Sequence, residues 1–136
     1  MEPVRRVTPA EFMPGHPTPG MQREEAVAAD GIWTGLVHTE PGMESAWHHH
    51  GEYQTSLYIV SGAMHLEFGP GGAQSVDAGP GDFVFVPKWA VHRETNPSAE
   101  PAMYSRHTRA RLLPTIDTAS SQPASRLATQ ERSVRA

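Results

Sequence analysis

Three consecutive histidines, His48 to His50, lead directly into an alternating apolar segment that ends at Ser61-Gly62. Such alternation is typical of a β-strand with one buried face, and a Ser-Gly pair is typical of the turn that follows one. Residues two apart in an extended chain point to the same side, so His48 and His50 share a face while His49 points away. Gln54 has the same parity as His48 and His50. Two imidazoles on one face make half of a metal site.

A second segment, residues 81–96, contains the histidine that would complete this site. Its sequence is GDFVFVPKWAVHRETN. A short apolar run, a turn around Pro87 and then His92 predict a strand that ends, turns and is followed by another strand whose first inward residue is His92. His92 is therefore a third histidine that we expect to point inward.

The two segments resemble the paired motifs of the cupin superfamily. The matching positions are Gly42, His48, His50 and Gly62 in the first motif and Gly81, Pro87, His92 and Asn96 in the second. The resemblance covers about residues 25–113 and implies an all-β fold, the cupin double-stranded β-helix, which is a jelly-roll barrel in a single domain. Two positions depart from the family pattern. The acidic ligand position falls on Gln54 or Thr55, and the glycine of the Pro-x-Gly turn is Trp89.

Turn-forming residues divide the chain into many short strands. The 136 residues include 13 prolines and 12 glycines, a density that favours a β-sandwich or barrel over a helical bundle. Strand-like segments recur at intervals of roughly ten residues, each closed by Gly, Pro, Asn or Asp. The predicted strands are 23–29, 32–39, 55–60, 63–68, 73–78, 83–87, 91–94 and 102–109.

The composition predicts three regions. Residues 1–23 carry five prolines and form an N-terminal arm that we expect to pack along a sheet edge, its own or that of a partner. The resemblance implies a homodimer in which this arm pairs across the interface. Residues 24–113 form the barrel. Residues 114–136 are rich in Ser, Thr, Ala and Gln and predict a flexible tail, with a short helix over 123–132 as the alternative.

Several classes of protein are disfavoured. The chain contains no cysteine, which excludes disulfides and thiolate ligands, and its formal net charge of -4 without blocks of like charge predicts no nucleic-acid partner. No apolar run is long enough to span a membrane, and the first residues lack the apolar core of a signal peptide. We expect a cytoplasmic protein with no membrane partner.

The resemblance implies that His48, His50 and His92 bind one metal ion together, and the fourth ligand is open at this stage. Gln54 is the first candidate, and Glu52 and His65 are the alternatives, while His49 is expected outside the ligand set. The cofactor would be one divalent ion per chain, with Zn or Fe favoured over Mn or Ni. Since an amide in place of a carboxylate leaves the site more positive, we expect Gln54→Glu to tighten metal binding.

This neutral ligand set favours Lewis-acid chemistry on a carbonyl-rich small molecule held in the barrel cavity. The chain is similar to small cupins that cyclise aromatic polyketides, which makes a cyclase, isomerase or lyase the leading hypothesis. An Fe(II)-dependent dioxygenase and a non-catalytic module that binds a metal or small ligand are the alternatives. Proton transfer needs a residue near the metal, and the candidates are Glu52, Tyr53 and Glu94.

Overall fold

The structure, a computed structural model, describes residues 2–110 of the chain. The predictions for residues 114–136 lie outside the described residues. The described part is all-β, with short 3₁₀ turns at Pro9–Glu11 and Pro70–Gly72. Its strands are β1 (Met13–Pro14), β2 (Met21–Ala29), β3 (Ile32–Thr39), β4 (Tyr53–Ser61), β5 (Met64–Phe68), β6 (Gln74–Ala78), β7 (Phe83–Val86), β8 (His92–Thr95) and β9 (Ala102–Ala110). No helix in this part of the chain has the length and apolar character needed to cross a bilayer.

The strands form two antiparallel sheets, one with the order β1-β2-β3-β9-β4-β7 and the other with the order β6-β5-β8. The last strand, β9, lies between β3 and β4, so it joins β1, β2 and β3 to β4 and β7 in the larger sheet. This arrangement is the jelly-roll barrel that the sequence predicted. The eight predicted strands each begin and end within two residues of those in the structure.

The core lies between the two sheets and follows the alternation of the strands. On β4 the odd-numbered residues Leu57 and Ile59 are buried, and on β5 the even-numbered Met64 and Leu66 are buried. One buried face per strand is the pattern of a sheet that packs against another sheet. The same core cluster also contains Met21, Val37, Met43, Ala78, Val84, Val86 and Tyr104.

The N-terminal arm lies against an edge of its own sheet. β1 pairs with β2 through Met13 opposite Glu25 and Pro14 opposite Glu24. Further along, the Gly15 amide donates to the Arg23 carbonyl at 2.8 Å. The arm therefore covers the β2 edge within one chain, and its pairing across a dimer stays a prediction.

Candidate metal centre

A backbone bridge between two distant segments brings the first pair of histidines together. The His48 amide donates to the His92 carbonyl at 3.0 Å, and the His92 amide donates to the His48 carbonyl at 2.8 Å. Residues that exchange both hydrogen bonds stand directly opposite each other in an antiparallel pair, with their side chains on the same face. This bridge, together with a second one between Glu44 and Thr95, continues the smaller sheet beyond β8.

His50 completes the cluster from two residues further along the same strand-like segment. One nitrogen from each of His48, His50 and His92 lies within 4.8 Å of the other two, and all three residues are buried. The ring centroids are 4.3 Å apart for His48 and His92, 4.9 Å for His50 and His92, and 5.4 Å for His48 and His50. Three imidazoles at these separations can bind one metal ion.

Each of the three rings is oriented by a hydrogen bond at its Nδ1 atom. The acceptors for His48 and His92 are the backbone carbonyls of Ala46, at 2.8 Å, and Ala90, at 2.9 Å. A carbonyl can only accept, so both rings carry a proton on Nδ1 and direct the Nε2 lone pair away from it. His50 Nδ1 lies 2.7 Å from Thr55 Oγ1. Such partners on the second ring nitrogen are typical of histidines that bind a metal through Nε2.

The protonation state of the cluster also suits a metal. Burial lowers the pKa of His50 well below its ordinary value, and the nearby Arg106 guanidinium lowers it further. Burial and the neighbouring His48 lower the pKa of His92 to about 4. Both rings are therefore neutral near pH 7, which is the form that binds a metal ion. The residues present fit a divalent cation.

The low pKa of His92 predicts a loss of stability in acid for the metal-free protein. Burial is the main cause of the lowered pKa and His48 adds to it, while the Ala90 carbonyl and Glu94 oppose them. The unfolded chain, with a histidine pKa near 6.5, binds the proton first, so stability is full above that value and falls as the pH drops toward 4. The expected loss from this one ring is about 3 kcal/mol.

Urea unfolding in the presence of a chelator would measure this loss across the same pH range. Carboxylates also change charge in acid, so the comparison is with His92→Gln, which lacks the titrating ring. We expect the wild-type free energy of unfolding to fall more steeply than that of the variant. Parallel profiles would contradict the assigned pKa.

Gln54 does not join the cluster. Its side chain is exposed on β4, opposite Arg109 of β9, whereas its neighbours Tyr53 and Thr55 are buried. Gln54 does not share a face with His48 and His50 because the chain is not extended between His50 and Tyr53. The Tyr53 amide donates to the His50 carbonyl at 3.1 Å across a turn, and Gly51 at its centre has a φ of 61°. A residue in that left-handed conformation shifts the alternation by one position.

The placement of Gln54 reverses the expectation for Gln54→Glu. An exposed carboxylate across the strand from Arg109 does not reach the cluster, and its effect on the metal is screened by water. We expect the affinity for Zn(II), measured by competition with a chromogenic chelator, to stay within about twofold of wild type. A tenfold or greater increase in Zn(II) affinity would show that residue 54 is a metal ligand after all.

The alternative fourth ligands also lie elsewhere. Glu52 is exposed. His65 is half-buried and its Nδ1 lies 2.7 Å from a carboxylate oxygen of Asp77 on the neighbouring strand. His49, expected outside the ligand set, has its Nδ1 2.9 Å from the Gly51 amide, and its ring contacts Trp89 at a centroid distance of 5.3 Å. Among residues 2–110, the cluster that could hold a metal consists of the three histidines alone.

Trp89 adopts the backbone conformation of the glycine that the family motif has at this position. Its φ is 64°, the one positive value among the non-glycine residues described. Its amide donates to the Gly51 carbonyl at 2.8 Å and so joins the two turns that flank the cluster. A bulky residue in this conformation is strained.

Of the proposed proton carriers, Tyr53 and Glu94 are buried. Glu94 lies two residues beyond His92, and the Tyr104 hydroxyl donates to its Oε2 at 2.7 Å. Burial and the Glu94 carboxylate raise the pKa of Tyr104 well above its ordinary value, so the phenol remains a hydrogen-bond donor. The exposed side chain of Glu52 leaves it outside this interior.

Two buried arginines near the cluster were not expected from the sequence. Arg23 on β2 and Arg106 on β9 are each only 6% exposed. The Nη2 atom of Arg106 lies 3.3 Å from Nε2 of His50. Arg106 lies on the buried face of β9, which it shares with Tyr104 and Thr108.

Cavities lie against two of the histidines. His92 lines an opening of about 530 Å³ whose other walls include Leu66, Phe68, Val84 and Val86. His48 lines a smaller cavity of about 210 Å³ that also reaches Arg23. Each is large enough to hold part of a small molecule.

A jelly-roll barrel with three inward histidines from two bridged segments defines a class of metal-binding β-proteins. The chain belongs to the cupin family, since the family model described as a cupin domain matches residues 35–105. A search of curated proteins found no match.

Several solved structures share the fold. KdgF from Halomonas sp. has a TM-score of 0.66 and 18% identity, covering 80% of this chain and 96% of its own. A sugar phosphate isomerase of the cupin superfamily from Silicibacter pomeroyi has a TM-score of 0.65 and 19% identity, with coverage of 79% and 76%. Oxalate decarboxylase from Bacillus subtilis has a TM-score of 0.63 and 23% identity, covering 74% of this chain and 28% of its own. At these identities the similarity shows the fold alone.

Proposed function

We propose that this chain is a metal-dependent enzyme that acts on a carbonyl-containing small molecule. The observation that carries this function is the convergence of His48, His50 and His92, each oriented through Nδ1, in the barrel interior. A divalent ion held there would act as a Lewis acid that polarises a carbonyl oxygen. Zn or Fe is favoured because imidazole ligands suit both.

The donor set favours Lewis-acid chemistry over oxygen activation. Iron oxygenases of the common type use two histidines and one carboxylate, and no carboxylate joins the cluster in residues 2–110. Three neutral ligands leave the full charge of the ion at the substrate. Cyclisation, isomerisation and decarboxylation all depend on a polarised carbonyl, and a polyketide cyclase remains the named example of the class.

Glu94 is the proton carrier that the interior best supports. Its carboxylate is buried and accepts a hydrogen bond from the Tyr104 hydroxyl, and its backbone amide donates to the Ser45 hydroxyl at 2.9 Å. A fixed carboxylate on the same face as His92 can take a proton from a carbon beside a polarised carbonyl. Tyr53, buried at the start of β4, is the second candidate.

The names of two structural relatives support this class of reaction. An isomerase and a decarboxylase both occur on the same fold. Each of these reaction types is one that a Lewis acid can promote through an enolate-like state.

Hydrogen exchange tests the function without knowledge of the natural substrate. Metal-free protein loaded with Zn(II), Fe(II), Mn(II) or Ni(II) is mixed in D₂O with hydroxyacetone, ethyl pyruvate or acetophenone, and loss of the proton beside the carbonyl is followed by NMR. We expect loaded wild type and His49→Ala to accelerate exchange of at least one compound, and His50→Ala to remain at the background rate. Equal rates for wild type and His50→Ala with every metal and compound would contradict the Lewis-acid role.

The same samples separate the two other functions. Oxygen consumption by the Fe(II) protein with a candidate substrate would indicate a dioxygenase. Saturable binding of the compounds without exchange or oxygen uptake would indicate a binding module.

A further inference from the structure

The larger cavity opens at the edges of the two sheets. Within the described residues, β7 is the last strand of the larger sheet and β6 is the last strand of the smaller one. Residues of both strands line the cavity of about 530 Å³ that reaches His92. This volume lies in the range of small-molecule sites in proteins.

The register of β6 shows that the sheets do not close over this cavity. Val76 pairs with Leu66 of β5, and Ala78 pairs with Met64. Side chains of directly paired residues lie on the same face of a sheet, and Leu66, Met64 and Ala78 are all buried in the core. Val76 therefore points inward, yet 40% of it is exposed. An inward apolar side chain with this exposure leaves the cavity accessible to solvent and to a ligand.

Exposed apolar side chains surround the same opening. Phe83 and Phe85 of β7 line it together with Val76, and they are 71% and 62% exposed. Large apolar groups left in water gain free energy when a ligand covers them, and contiguous groups of this kind mark binding sites.

The charges around the cavity favour an uncharged ligand group. The ionisable residues that line it are Asp77, Asp82 and His92, and none of the described lining residues is a lysine or an arginine. Asp77 Oδ1 lies 2.7 Å from His65 Nδ1, and Asp82 Oδ2 accepts a hydrogen bond from the Gly79 amide at 2.9 Å. A negatively charged group among apolar walls and two carboxylates would be costly to bury.

The depth of the cavity favours a small molecule over a protein surface. Its walls include the buried side chains of Leu66, Val84 and Val86 as well as His92. The surface of a second copy of the chain could cover Phe83 and Phe85, but only a slender group can extend between the sheets to the buried walls. Because His92 belongs to the histidine cluster, such a group would end beside the candidate metal centre.

We propose that the cavity between β6 and β7 holds an uncharged, apolar part of the substrate, such as an aromatic ring system. This inference rests on the proposed function for its substrate and adds the chemical class of that substrate. The substrate is a carbonyl compound whose apolar end lies against Val76 and Phe85, with its carbonyl toward His92.

Matched ketones test this assignment on the wild-type protein. Isothermal titration of the Zn(II)-loaded full chain compares 2-acetylnaphthalene with acetophenone, which lacks the second ring, and methyl 4-acetylbenzoate with 4-acetylbenzoate, which carries a charge at the same position. We expect the second ring to tighten binding by about tenfold, because it buries more apolar surface. We expect the ester to bind about tenfold more tightly than the carboxylate.

Two variants locate the binding site, and a third is the matched control. Val76→Trp places a larger side chain at the cavity and should weaken binding of 2-acetylnaphthalene by about tenfold or more, while Phe85→Gln removes an apolar wall and should weaken it by about threefold or more. Ile32 is also a β-branched strand residue, 45% exposed, but it does not line the cavity. Ile32→Trp should therefore bind like wild type.

Three results would overturn the proposal. The first is a wild-type protein that prefers neither the larger ketone nor the ester, a comparison that needs no variant. The second is unchanged binding in both Val76→Trp and Phe85→Gln. The third, from sedimentation velocity, is a wild-type dimer that Phe85→Gln converts to a monomer, since a second copy of the chain would then cover the opening.

The measurements distinguish this inference from the proposed function. Metal content is determined for each sample, and the titrations are repeated on metal-free protein. Cavity-dependent ketone binding in a protein that shows no metal-dependent exchange would overturn the Lewis-acid function and retain the apolar site. Metal-dependent exchange without either ligand preference would do the reverse.

Discussion

His92→Ala is expected to abolish stoichiometric metal binding while the barrel stays folded. The His92 ring supplies one of the three ligands, so the variant retains only the two imidazoles of His48 and His50. Loss of an outer-shell partner alone costs about 10- to 100-fold in affinity, so loss of a ligand should exceed about a hundredfold. Metal content after dialysis against trace Zn(II), with circular dichroism on the same sample, measures both parts of the expectation.

The adjacent histidines supply the control for this experiment. His49→Ala removes an imidazole one residue from two ligands, but that ring contacts Trp89 and the Gly51 amide rather than the cluster. We expect it to retain metal at the wild-type ratio, and His50→Ala to behave like His92→Ala. Full metal occupancy in both His50→Ala and His92→Ala would show that the metal site lies elsewhere on the chain.

The positions of the three histidines were predictable because each step depended on local geometry. His48 and His50 share a face in any extended segment, and the turn at Pro87 places His92 at the start of a strand. Even the pairing of the two segments was implied by their resemblance to known motifs. Strand boundaries followed from the same turn residues, which is why they agree closely with the structure.

The position of Gln54 was not predictable by the same argument. The alternation of inward and outward side chains can be counted only while the backbone stays extended. The turn at Gly51 interrupts the extended backbone between His50 and the start of β4. The glycine in the sequence was the available signal. A turn there would have exchanged the inward and outward faces and placed Thr55 inside, where it contacts His50.

The arginines escaped sequence reasoning for a different reason. Their contacts depend on β9 lying between β3 and β4, a pairing across long stretches of chain that no local pattern contains. A charged residue in an alternating strand is usually at the surface. Only the closed sheet shows that Arg106 lies inside, opposite Gly35 of β3.

Gly35→Ala is expected to cause a large loss of stability. A methyl group at this position would collide with the Glu24 carbonyl of β2 and lie 2.7 Å from the tip of the Trp33 ring. Gly35 pairs with Glu25 next to the irregularity in β2 between Glu25 and Val27, so the backbone there approaches unusually closely. Because backbone must shift, we expect a loss of about 3 kcal/mol or more.

Thermal unfolding with Gly79→Ala as the control tests this expectation. Gly79 also lacks a positive φ, but no atom lies within 4 Å of an added methyl group. We expect the melting temperature to fall by about 10 °C or more for Gly35→Ala and to change little for Gly79→Ala. Equal melting temperatures for the two variants would show that β2 and β3 are spaced more widely than described.

The double variant Trp33→Leu with Gly35→Ala identifies which contact causes the loss. If the Trp33 ring were the main obstacle, Gly35→Ala would cost less stability in the Trp33→Leu background than in the wild-type background. The closest contact is instead with the Glu24 carbonyl, so we expect the penalty of Gly35→Ala to persist in the Trp33→Leu background.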